Sequence, residues 1–175
     1  MSKKKLKIIG TILAFLLCFP MHFVYDLFPN FFTSILFPVN ESIWEHMKIL
    51  FGSIIFSGII QKIIVLIKKD KINNICFSNF IAALLSIPIF LIMFLPIYYL
   101  INENFIITII IMLLSIIFSE FISYIIINKK ELNKEKTTIY LVILVYIIFV
   151  ILTYYPLRTN LFIDPKTETY GIKNI

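Results

Sequence analysis

Five apolar stretches, each close to or above the roughly 20 residues a helix needs to cross a bilayer core, leave this chain few ways to fold. They run from Leu6 to Leu27, Ile49 to Ile67, Ile75 to Ile101, Phe105 to Ile127 and Thr137 to Tyr155. In hydrocarbon every backbone N–H and C=O must be paired, and isolated stretches of this length achieve that only as α-helices. The reading is an all-α integral membrane bundle of five transmembrane helices, a single domain over residues 1–175. A soluble alternative fails on composition: 60% of the residues are hydrophobic and 15% charged, against about half and a quarter in soluble domains.

Charge placement predicts orientation. Lys3, Lys4, Lys5 and Lys7 precede the first span, Lys68, Lys69 and Lys71 follow the second, and Lys129, Lys130, Lys134 and Lys136 follow the fourth. Cytoplasmic loops carry the excess of basic residues, so the N-terminus is expected inside and the tail, 156–175, outside. The opposite face holds only Lys48, Arg158, Lys166 and Lys173, and the Asn102-Glu103-Asn104 turn has no basic residue. Tyr98, Tyr99, Tyr154 and Tyr155 then fall at outer span ends, where amphipathic rings favour the headgroup level. Because the lysines sit in clusters between apolar runs, the net charge of +6 reports topology, and no nucleic-acid partner is expected.

Cys18 and Cys76 lack disulfide or zinc spacing and read as small apolar fillers. The start has the basic and apolar regions of a signal peptide but no small-x-small cleavage site, and Leu16-Leu17 before Cys18 are too large for a lipoprotein site. It is expected to remain as an anchor helix. Phe28 to Val39, bounded by Pro29 and Pro38, is too short to cross and should lie in the outer interface or dip in re-entrantly. Pro88 and Pro96 predict a bend in the third span.

The chemistry concentrates in Val39-Asn40-Glu41-Ser42-Ile43-Trp44-Glu45-His46-Met47-Lys48. With Asn40 as N-cap and Glu41 as first helical residue, the second helix starts near residue 40. At about 100° per residue, Glu41, Glu45, Lys48 and Gly52 then share one stripe. His22 and Asp26, spaced i, i+4, face one way on the first helix and can meet that stripe across a short connection. His22, Asp26 and His46 are candidate ligands of a divalent transition metal. Glu45 or Glu41 would supply acid/base chemistry to a metal-bound water, while Lys48 and Arg158 would bind an anionic substrate group. The spacings H-x-x-x-D and E-H match no established metal motif.

Each of these groups also has a structural reading. Glu41 and Lys48 could pair with each other, Trp44 could anchor at the interface, and Arg158 could pair with Glu41 or Glu45. Glu120 and Lys62 come from similar depths of neighbouring spans, which predicts an interhelical ion pair between them and disfavours a proton relay. In the tail, Leu161-Phe162-Ile163 should dock on the bundle, Asp164-Pro165 turn the chain back and Gly171 end it.

The motif from Val39 to Lys48, with His22 and Asp26 before it and Leu161-Phe162-x-Asp164-Pro165-x-Thr167-x-Thr169-Tyr170-Gly171 after it, resembles an uncharacterised family of small multi-pass bacterial membrane proteins, a domain of unknown function. Members carry a proline soon after the motif, where this chain has Phe51-Gly52, and a fuller proline pattern near Pro156. The resemblance implies a multi-pass protein of the bacterial cytoplasmic membrane and brings no activity, cofactor or partner with it. From the residues, the leading expectation is a metal-dependent hydrolase or transferase acting on a lipid-type substrate. The alternatives are a non-catalytic ligand-binding or transporter component and a membrane assembly partner.

Overall fold

The computed structural model describes residues 1–101 and 104–172; Asn102, Glu103 and Lys173, which entered the charge argument, lie outside the described residues. The chain is all-helical: α1 (Lys3–Leu27), α2 (Phe31–Leu36), α3 (Ile43–Ile67), α4 (Ile75–Ile101), α5 (Phe105–Ile127) and α6 (Glu135–Tyr154). All but α2 are long and apolar enough to cross a membrane. The Phe-rich segment after the first span holds α2, capped by the Asn30 side chain on the Thr33 amide with Thr33 reciprocating. Helix α4 continues through Pro88 and Pro96, and α1 through Pro20.

The start of α3 differs from expectation. Its N-cap is Ser42, whose hydroxyl accepts from the Glu45 amide at 3.3 Å, so the helix begins at Ile43. Asn40 caps no helix: its side-chain oxygen accepts from the Ser42 amide at 2.9 Å, a local Asx turn. The reason is the Ser42-x-x-Glu45 spacing, the pattern of a capping box. Here the Glu45 carboxylate reaches back beyond the cap, to the Val39 amide at 3.0 Å.

Helix α3 is central, with α1 and α4 packed on it, α5 closing against α1 and α4, and α6 lying on α4 and α2. Phe51 anchors the core, edge-on to Phe80, Tyr146 and Phe149. Beside it, Gly52 lets α1 approach: a Cβ there would stand 2.6 Å from the Met21 Cε. The outer faces remain apolar, with Ile8, Phe23, Ile106, Phe121, Tyr140 and Ile147 all exposed, as a surface facing lipid requires.

Toward the lysine-rich end, a polar cluster crosses the core. Lys7 meets Glu120 at 3.2 Å, both nearly fully buried, and donates to the Asn79 side-chain oxygen at 2.8 Å. Gln61 donates to that same oxygen and to Ser57, which donates to the Gly10 carbonyl. The expected Lys62–Glu120 pair is therefore corrected: Lys62 pairs with Glu135 of α6 at 2.8 Å, near the surface. Depth matched but azimuth did not. Gln61 occupies the inward face of α3, and its neighbour Lys62, about 100° round the helix, points elsewhere. Helix α1 also begins at Lys3, which carries Lys7 a turn into the bundle.

Candidate metal centre

Helices α1 and α3 bring His22 and His46 together at the end of the bundle opposite the Lys7–Glu120 cluster. Their Nε2 atoms lie 3.2 Å apart. Glu41, in the turn before α3, places Oε2 at 3.5 Å from each. Among the described residues these three form the one group of His, Cys, Asp or Glu with ligand atoms clustered this closely. The point equidistant from atoms at 3.2, 3.5 and 3.5 Å lies about 2.0 Å from each, and zinc bonds to nitrogen or carboxylate are about 2.0–2.2 Å. Tetrahedral ligands at such bond lengths stand roughly 3.3–3.4 Å apart, so the three distances match three corners of that site. Two imidazoles and a carboxylate, with a fourth corner left for water, is the donor set of hydrolytic zinc centres.

The surrounding groups orient these donors. His46 Nδ1 lies 2.9 Å from the Ser42 carbonyl oxygen, which can only accept. Nδ1 therefore donates, and in the neutral ring Nε2 is the atom with the free lone pair toward the centre, the usual support for a metal-ligating histidine. His22 Nδ1 is buried without such a partner among the described residues. The other Glu41 oxygen accepts from Lys166 at 2.8 Å. Hydrogen bonding from His22, foremost, and from Lys166 holds the Glu41 carboxyl down to about 2, so it is an anion throughout the neutral range.

Glu41 and His46 line a narrow cavity of about 40 Å³ whose walls include Phe90, Phe94 and Tyr98 of α4 and Thr108 of α5. That volume holds one or two waters. Phe90, Phe94 and Tyr98 form a contiguous aromatic stack, with centroids 4.9 and 5.5 Å apart, descending α4 from the site. On the other side of Glu41 lies a polar cleft lined by Tyr25, Asp26, Asn40 and Asp164.

The remaining candidates have other positions. Asp26 lies outside the triangle, in that polar cleft. Glu45 is buried, 2.7 Å from the Lys48 ammonium, and accepts from Thr153 at 2.6 Å. Lys48 is fully buried and donates to the Ser34 carbonyl. Both are thus closed off from the cavity, and the pairings of Lys48 with Glu41 and of Arg158 with Glu41 or Glu45 are replaced by Lys48–Glu45 and Lys166–Glu41. Arg158 lies over the Tyr170 ring, 5.9 Å from its centroid.

The tail roofs this end. Trp44 stacks on Phe162 at 4.9 Å, and its amide donates to the Leu161 carbonyl. Asp164 caps the turn through the Lys166 amide and the Thr167 hydroxyl, and Ile163 bridges to Tyr170. Asn40 donates to the Gly171 carbonyl at 2.9 Å. Lys166 and Ser42 were missed as members of the site. The Ser-x-x-Glu spacing could have revealed Ser42, whereas no local signal places Lys166 on Glu41.

Gly171 closes this roof with φ +65°, and a Cβ there would lie 2.7 Å from the Thr153 carbonyl. Gly171→Ala is expected to cost about 1–3 kcal/mol from the left-handed backbone alone and to free the tail. Faster proteolysis after Tyr155 and altered Trp44 fluorescence would show it; unchanged protection would mean the roof does not depend on this turn.

The chain belongs to a family of unknown function (DUF6512), whose family model matches residues 1–172. No curated protein and no solved structure matches it.

Proposed function

We propose that this member of the family is a membrane-embedded metal-dependent hydrolase of the bacterial cytoplasmic membrane, acting at the outer face on a lipid-type substrate. The observation that carries the reading is the His22–Glu41–His46 triangle, whose sides match the ligand spacing of a three-donor zinc site. A bound divalent ion supplies a Lewis acid and an activated water at neutral pH.

The chain's own groups divide the remaining work. His46 is oriented by the Ser42 carbonyl, and Glu41 is held between the histidines and Lys166. Asp26, which shares a cleft with Glu41, takes the proton-exchanging part, since Glu45 is enclosed by Lys48 and Thr153. The aromatic stack on α4 gives the cavity an apolar wall, and the exposed apolar faces around it put the site beside lipid, which favours a substrate with a hydrocarbon portion. The lysine distribution supports an N-terminus in the cytoplasm and hence a site on the outer side.

Metal analysis of the purified full-length protein after zinc loading and removal of free metal should find about one ion per chain, as three convergent protein donors imply. Absence of a retained transition metal would end the reading. Release of a headgroup or acyl chain from glycerophospholipid vesicles should accompany metal loading and disappear in Asp26→Asn, which keeps its metal.

A further inference from the structure

At the lysine-rich end, α3 and α6 are bridged by the Lys62–Glu135 pair, with an apolar groove beside it. Trp44, Phe51 and Thr153 hold the two helices together at the opposite end, while here the groove is lined by Ile55, Ile59 and Ile63 of α3 and Ile139, Val142 and Ile143 of α6. Its volume is about 290 Å³, and Ile55 to Ile63 covers about 12 Å of helix axis at 1.5 Å per residue. That is most of one leaflet's hydrocarbon depth, roughly 15 Å. The groove ends at Lys62, which also lines a second, polar recess with Asn73, Asn133, Lys134 and Lys136.

We propose that this groove and recess form a specific binding site for an anionic phospholipid, one acyl chain lying between α3 and α6 and the phosphate on Lys134 and Lys136. The groove is long enough and apolar enough to take part of a hydrocarbon chain, with the lysines at its mouth. Charge at its mouth favours an anion. Glu135 is neutralised by Lys62 at 2.8 Å, which leaves Lys134 and Lys136 against the single charge of Glu131 in the recess, a net +1. Lys134 and Lys136 are exposed and have no ion-pair partner among the described residues. Basic recesses beside transmembrane helices recognise anionic headgroups in this way. The site is remote from the metal triangle and independent of the hydrolase reading.

Full-length protein in mild detergent, titrated separately with dioleoyl phosphatidylglycerol and dioleoyl phosphatidylcholine and followed by native mass spectrometry, should retain the anionic lipid about tenfold more tightly. Tenfold is about 1.4 kcal/mol, within what two lysines contribute toward a headgroup of net negative charge over a zwitterionic one. Lys134→Gln with Lys136→Gln, at exposed positions that leave the core untouched, should abolish the preference. Val142→Trp, which fills the groove, should weaken retention of both lipids. Equal retention of the two lipids by the wild-type protein would overturn the proposal, as would a preference surviving the double lysine change. So would a folded Val142→Trp protein that changes its oligomeric state while retaining lipid unchanged, since the groove would then seat a second copy. Where Val142→Trp fails to fold, the lysine variant decides alone.

Discussion

His46→Ala is expected to lower zinc affinity by at least about 100-fold while leaving the helical bundle intact. Loss of a supporting group around a metal typically costs about 10–100-fold, and His46 is itself one of the three converging donors. It is only half-buried, so its removal opens no core cavity, and Ser42 keeps its cap on the Glu45 amide. Two comparisons make the result specific. Lys166→Met removes a hydrogen bond to Glu41 and no donor, so its loss should stay within about 10–100-fold. Asp26→Ala should leave affinity unchanged, because its carboxylate stands outside the triangle. Competition against a chelator of known affinity measures all three. A zinc affinity in His46→Ala equal to wild type would remove the metal centre; a loss in Asp26→Ala as large as in His46→Ala would put the centre in the Asp26 cleft instead.

A shift of two residues in the start of α3, from Asn40 to Ser42 as the cap, separates the expected site from the observed one. Starting the helix at Asn40 put Glu41, Glu45 and Lys48 on one stripe. Because Ser42 is the cap, Glu41 belongs to the preceding turn and swings to the histidines, while Glu45 and Lys48 face inward and pair with each other. The spans were legible, since length and hydropathy are local properties that the bilayer requires of any crossing helix. The meeting of His22 and His46 was legible as well, from facing helices joined by a short connection. Partner choice between helices was not. It depends on azimuth and on chain segments remote in sequence, as with Lys166, 125 residues from Glu41, and Thr153, 108 from Glu45.

The Lys7–Glu120 pair gives the second large expected effect. Lys7→Met should destabilise the protein by about 3–5 kcal/mol, the range for removing one partner of a buried ion pair and stranding the other charge. Glu120 is 2% exposed, and neither carboxylate oxygen has a hydrogen bond in good geometry among the described residues. Lys7 at 3.2 Å is thus its main compensation, and the Lys7 hydrogen bond to Asn79 is lost together with the charge. The double variant Lys7→Met, Glu120→Leu should recover most of the loss, because replacing both partners of a buried pair with apolar groups of similar size is often close to neutral. Lys62→Met should cost under about 1 kcal/mol, since its pair with Glu135 is largely exposed. Unfolding of the purified protein in mixed micelles, with all variants in one double-mutant cycle, tests this directly. Strong coupling between positions 7 and 120 and none between 62 and 120 is the expected pattern. If Lys7→Met were no worse than Lys62→Met, Glu120 would have to be held uncharged, and the cluster would be a hydrogen-bonded polar seam with no ion pair in it.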